Sequence, residues 1–238
     1  MKKILGISCL VIVLLVIGAS VFVGYKVSSS LNGMAKPRDL GVHATVEQAK
    51  AAQAKTQVAV SALPENTPIG ESIRFEGSHP MTYEMDSTEL TALALSHATY
   101  KYFPFSNIQI RINPDNTVEV SCTADTMKAF TYATAVGFAA SDLEKVMTDY
   151  HIPRSSIPVY VKGSGSVTDN KVTIQLDAGE VAGIPVPMGL VNGKKPQIEG
   201  VLEDLIHRTS GLDAKSITFS DSKIYFDGKV PEKKFIVE

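Results

Sequence analysis

Three stretches of this chain alternate apolar and polar residues on both sides of a short polar turn, and they constrain its fold most. In the first, Ile108, Ile110 and Ile112 alternate with Gln109 and Arg111. Asn113-Pro114-Asp115-Asn116 turns the chain into Val118, Val120 and Cys122, which alternate with Glu119 and Ser121. In the second, Val159 to Val167 leads through Asp169-Asn170 into Val172, Ile174 and Leu176. In the third, Ile217 and Phe219 pass Asp221-Ser222 into Ile224 and Phe226. Side chains of a strand point to opposite faces in turn, so each stretch predicts a hairpin with one apolar face. Such strands predict an antiparallel sheet covered on one side. Gly163 and Gly165 inside a strand suit a bulge or strong bend, as a curling sheet needs. The alternative puts both in a loop.

Helical signals lie between the hairpins. Thr45-Val46-Glu47-Gln48 is a capping-box pattern that opens an Ala-rich helix expected to reach about Leu63 and to lie on the surface. Residues 72–85 predict one strand. Asp86-Ser87-Thr88-Glu89 then starts a helix with Leu90, Leu93, Ala94 and His97 on one face, stopped by Pro104. The segment from Met127 to Tyr150 predicts two helices with a break near Ala140, the second capped at Ser141-Asp142-Leu143-Glu144. Residues 197–208 carry the clearest helical stripe. Ile198, Val201, Leu202, Leu205 and Ile206 share one face, with Glu199, Glu203, Asp204 and Arg208 opposite. Gly183-Ile184-Pro185-Val186-Pro187-Met188-Gly189-Leu190 is an apolar loop whose prolines oppose a central strand, so it predicts a rim or lip. Ordinary core packing under a loop is the other reading.

The N-terminus reads Met1-Lys2-Lys3, then 22 uncharged residues from Ile4 to Tyr25. About 20 apolar residues cross a bilayer. The expected organisation is a cytoplasmic stub and transmembrane anchor at 1–27, a linker at 28–44, and one domain at 45–238. A cleaved signal peptide competes, although its apolar region usually spans about 7–15 residues. Lysines flank both ends of the run, and a long C-terminal domain translocates largely regardless of charge. The expectation is therefore a single-pass cell-membrane protein with its domain extracytoplasmic, in a bacterial-type envelope. Cys9 in the span and Cys122 in the domain are the two cysteines, so no internal disulfide is expected.

Residues that carry chemistry are scattered. Net charge is −2 with Lys and Arg dispersed, which gives no stripe for nucleic acid. Lys162-Gly163-Ser164-Gly165-Ser166 has the wrong spacing for a nucleophile elbow. Cys122 alternates with apolar neighbours and reads as a buried thiol. The five histidines, His43, His79, His97, His151 and His207, form no metal-binding pair, and His97 reads as a core histidine. Asn113, Asp115, Thr117 and Glu119 have the alternation of a calcium loop but lack its glycine, and fit a turn. No catalytic residue, metal or cofactor is assigned.

From about Asp86 to Val230 the chain resembles anchored envelope proteins of the tubular lipid-binding (TULIP) superfamily, with LmeA-like phospholipid-binding domains. The helix opening at Asp86-Ser87-Thr88-Glu89, the hairpin Asn107 to Ser121, the span from Ile157 to Pro187 and the closing hairpin from Leu212 to Gly228 carry the resemblance. It implies an α+β fold in which a curved antiparallel sheet wraps around amphipathic helices and leaves an apolar groove. Candidate lining residues are Ile108, Ile110, Val118 and Val120 on the first hairpin, with Val172, Ile174 and Leu176 on the second. Val186 and Met188 in the proline loop, and Val201 and Leu205 on the helix, complete the set. The implied function is a lipid-binding module holding a phospholipid or acyl chain. A structural or adaptor protein with a solid core, meeting an envelope partner, is the alternative. An extracytoplasmic hydrolase is the third reading.

Overall fold

The computed structural model describes residues 36–149 and 154–238. The expected anchor at 1–27 lies outside the described residues. Among the described residues, no helix is long and apolar enough to cross a membrane.

The fold is α+β, with a strongly curled antiparallel sheet and several helices. Helix α1 (Val46–Lys55) and strands β1 (Ala59–Leu63), β2 (Ile73–Glu76) and β3 (His79–Asp86) come first. Helix α2 (Ser87–Ser96) precedes the hairpin of β4 (Phe105–Ile112) and β5 (Val118–Asp125). Helices α3 (Thr126–Ala135) and α4 (Ala140–Asp149) lead to β6 (Ser156–Thr168) and β7 (Lys171–Val181). Then follow β8 (Ile184–Pro185), α5 (Met188–Asn192), α6 (Lys195–Arg208), β9 (Asp213–Ser220), β10 (Lys223–Val230) and β11 (Lys233–Val237).

All three predicted hairpins form. Asp169-Asn170 and Asp221-Ser222 have positive φ at both positions, as two-residue turns matched to strand twist require. The large sheet runs β3-β10-β9-β6-β5-β4, with β7 on the other edge of β6 and β8 beside β7. Register carries one apolar face across it. Ile110, Val120 and Val161 stand opposite one another, as do Val172, Val167 and Ile217. Ile217, Phe226 and Tyr83 continue the row. The curl comes from extra residues: register shifts at Lys162/Gly163, where Asp177 has no partner, and at Asp227/Gly228, where Lys215 has none. A bulge of this kind adds local twist. At Gly163 a Cβ would lie 2.3 Å from the Gln175 carbonyl oxygen, so this approach needs glycine. Both Gly163 and Gly165 thus lie in a strand, not a loop.

Helices cap two of the sheet's edges, at β4 and at β7. At β4, Thr91 Oγ1 accepts from the Ile110 N–H at 2.9 Å and Ser87 Oγ from the Ile112 N–H at 2.9 Å. At β7, Glu199 accepts from the Ile174 N–H at 2.9 Å and Glu203 from the Val172 N–H at 3.1 Å. Those two glutamates were expected on the wet face of the helix; they turn instead to unpaired backbone, which binds a carboxylate well.

A second, three-stranded sheet has the order β1-β11-β2. It corrects two expectations. The Ala-rich helix ends at Lys55, not near Leu63, because residues 59–63 pair in parallel with the C-terminal strand β11. Residues 72–85 hold two strands, broken at Gly77 with φ +72°, and each joins a different sheet. The predicted capping box at Thr45 is present, and the helix predicted to start at Asp86 opens with a capping box as well. Helix α4 starts at Ala140, so Ser141 lies within its first turn and not before it. In the proline loop, Ile184 and Pro185 do pair with β7, which the rim reading did not expect. They sit at the sheet margin, where a missing N–H costs no ladder bond.

The last residues read as linker lie across the polar face of the sheet. Leu40 is 4% exposed, and its N–H donates to Gln109 Oε1 at 2.7 Å. Arg38 pairs with Glu180 at 2.7 Å and stacks on the Tyr160 ring at 3.9 Å.

Candidate functional site

Strand β6 divides the sheet. One edge follows β7 from Val159 to Thr168. The other pairs with β5 as far as Gly163 and with β9 only at Val167 and Thr168. Residues 164–166 therefore have no strand partner on that edge among the described residues, and β5 and β9 diverge there. An apolar groove of about 100 Å³ opens at this division. Its walls are Val118 and Val120 from β5, Val161 and Val167 from β6, Val172, Ile174 and Leu176 from β7, and Ile217 and Phe219 from β9. Ile198 and Leu202 of α6 close it. Gly163 and Gly165 share the inward row with Val161 and Val167 and let β7 approach closely, since a Cβ at Gly163 or Gly165 would lie 2.3 or 2.9 Å from a β7 carbonyl oxygen.

Of the eleven candidates, the groove gathers Val118, Val120, Val172, Ile174 and Leu176. The other six lie elsewhere. Ile110 is 2% exposed under Thr91, and Leu205 is 2% exposed in the core. Val186 is buried in the same core. Ile108, Met188 and Val201 pack against it half-buried. On α6 the groove is met by Ile198 and Leu202, one step round the stripe from Val201 and Leu205. The helical period identified the stripe, but which of its residues face the division depends on how α6 lies along β7. Val161, Val167, Ile217 and Phe219 stand at inward positions of the predicted hairpins and could have been selected by period two.

Among the described residues, no ionisable side chain lines the groove. Glu203 is held below the usual carboxylate range, first by Lys171 at 2.8 Å and then by the Val172 N–H. On the opposite, polar face, Glu119 is 6% exposed and accepts from Tyr160 at 2.6 Å, Arg111 at 2.7 Å and Asn113 at 3.1 Å. Burial raises its pKa, but these donors outweigh burial and lower it. Burial, together with the Glu119 charge, pushes the Tyr160 phenol up to about 12.

The predicted turn at 113–117 is confirmed: Asn113 N–H donates to the Thr117 carbonyl at 2.8 Å and Asp115 accepts from the Thr117 N–H at 3.0 Å. Cys122 is 2% exposed and faces inward, and burial pushes its thiol up to about 12. A thiol so placed is a core residue, not a nucleophile. His97 is 3% exposed, as its apolar face predicted. Its Nδ1 accepts from the Lys234 ammonium at 2.9 Å, which puts the ring proton on Nε2. Compared with known proteins, the chain matches no family model, no curated protein and no solved structure.

Proposed function

We propose that this chain is a membrane-anchored, extracytoplasmic lipid-binding module of the TULIP kind, and that the division of the sheet at β6 receives the apolar chain. The observation that carries the reading is the groove itself: walls from four strands and α6, all without charge, around inward positions occupied by glycine. Each methylene moved from water into such a site gains about 0.8 kcal/mol, so length and apolar lining supply affinity without polar hooks. At about 100 Å³ the groove is smaller than the ~150 Å³ cavity that holds benzene. A whole acyl chain therefore enters by widening the division, where β5 and β9 share no ladder to break.

The same small volume favours a second reading, an adaptor with a solid core that meets an envelope partner through its surface. Ile174→Glu separates the two. Ile174 is half-buried on the lining, so a hydrated carboxylate there leaves the fold intact in an open groove and abolishes lipid binding. Buried without a partner in a solid core, it costs several kcal/mol out of about 5–15 and unfolds the domain. The wild-type chain, purified gently and extracted with solvent, is expected to yield stoichiometric lipid by mass spectrometry. No retained lipid, together with no uptake of a fluorescent acyl probe from vesicles, leaves the adaptor reading standing.

A further inference from the structure

Strand β1 is an edge that no other strand or helix closes among the described residues. It pairs on one side with β11, from Ala59 with Lys233 to Leu63 with Val237. Residues 59–62 are exposed, and Val60 is 40% exposed. Natural sheets blunt such edges with charge, proline, bulges or a covering element, because a bare edge is a template for another strand. This molecule does so elsewhere: α2 hydroxyls bond the edge of β4, and α6 carboxylates bond the edge of β7. Ala59-Val60-Ser61-Ala62-Leu63 contains no charge and no proline, and its five partners on β11 follow without a register shift.

The free hydrogen-bonding groups can be assigned. The Ala59 N–H donates to the Glu232 carbonyl at 2.9 Å, toward β11. Backbone groups of a strand alternate between its two edges, so Val60 and Ala62 turn both N–H and C=O outward. From this we infer that β1 pairs antiparallel with β1 of a second copy of this chain, about a two-fold axis through Ser61. In that register Val60 meets Ala62 of the other copy, and Ala62 meets its Val60. Each is a position where opposed residues exchange both backbone bonds, which gives four in all. Ser61 faces itself at the non-bonded position between them, and Ala59 faces Leu63. Beyond the strand Pro64 faces Val58, and Glu65 faces Gln57, so no like charges meet. A strand whose free groups fall symmetrically about its own centre is complementary to itself, and a C2 contact requires that. The product is a six-stranded sheet, β2-β11-β1 continued by β1-β11-β2.

Disulfide trapping of the full-length chain in membranes tests this. At a non-bonded antiparallel pair the Cα atoms stand about 4.5 Å apart, within disulfide reach. Ser61→Cys, in a background with Cys9→Ser, is expected to form a covalent dimer under mild oxidant. Buried Cys122 is left in place. Adding Val60→Pro removes an outward N–H and leaves the β11 ladder alone; it should cut the trapped dimer at least tenfold. Ser61→Lys and Ser61→Glu chains should each lose self-association and regain it when mixed. Absence of a Ser61→Cys dimer overturns the inference, and so does a dimer that persists with Val60→Pro. Pairing of β1 with another protein, or with residues 1–35 of the same chain, would appear as a cross-link to that species and also overturns it.

Discussion

His97 shows how one buried residue couples the fold to pH. Burial, and then the Lys234 charge, hold its pKa well below the ordinary 6.5. The unfolded chain therefore binds a proton below about pH 6.5 that the folded chain refuses, so stability is full above that pH and falls as acid is added. The limiting slope for one proton is about 1.4 kcal/mol per pH unit. His97→Gln keeps an acceptor for Lys234 and removes the titration. Between pH 6.5 and 5 the wild-type melting temperature is expected to fall more steeply than that of the variant. Parallel curves would mean that His97 protonates freely in the fold. The position of His97 on an apolar helical face was readable from its spacing. Its partner was not, since Lys234 lies 137 residues away in the chain.

Edge closure belongs to the scale of elements, and its two instances differ in wetness. Thr91 is 2% exposed, so Thr91→Val strands the Ile110 N–H without water and should cost about 1–3 kcal/mol. The Glu203 side chain is 21% exposed, and water can replace it on Val172. Glu203→Ala is expected to cost no more than about 1 kcal/mol. It should also speed amide hydrogen exchange at Val172. Denaturant melts of the two variants check the order, and a larger loss for Glu203→Ala would show that the β7 edge is drier than its exposure indicates. Period two located the three long hairpins because a half-buried strand must alternate, and it missed the short pairing of β7 with β8, which is only two residues long. Helix length was misjudged after Lys55 because alanine's helix propensity is a few tenths of a kcal/mol per residue, and pairing with β11 outweighs it.

At the scale of the whole molecule, residues 36–238 are expected to fold without the N-terminal apolar run and to melt cooperatively. Starting instead at Thr45 removes Leu40 from its buried site and Arg38 from Glu180 and Tyr160. Burial of one leucine is worth about 1.5–3 kcal/mol, so the shorter chain should lose about that much stability by denaturant melt. Equal stabilities would make residues 38–44 a passive tether. Composition shift set the expected domain start at Thr45, because Gly, Pro and Ser before it look like linker; docking onto a distant polar face leaves no local mark. The sequence by itself determined the α+β class, the three hairpins, their apolar faces, the caps at Thr45 and Asp86, and the inward thiol. Each of these is a local consequence of period, turn chemistry or capping. Tertiary structure alone decided the parallel pairing of β1 with β11, the turning of Glu199 and Glu203 onto β7, and the division of the sheet at β6 that opens the groove. Those depend on which strand edges meet across long separations, and an edge's hydrogen-bonding groups are the same backbone atoms whatever the residue.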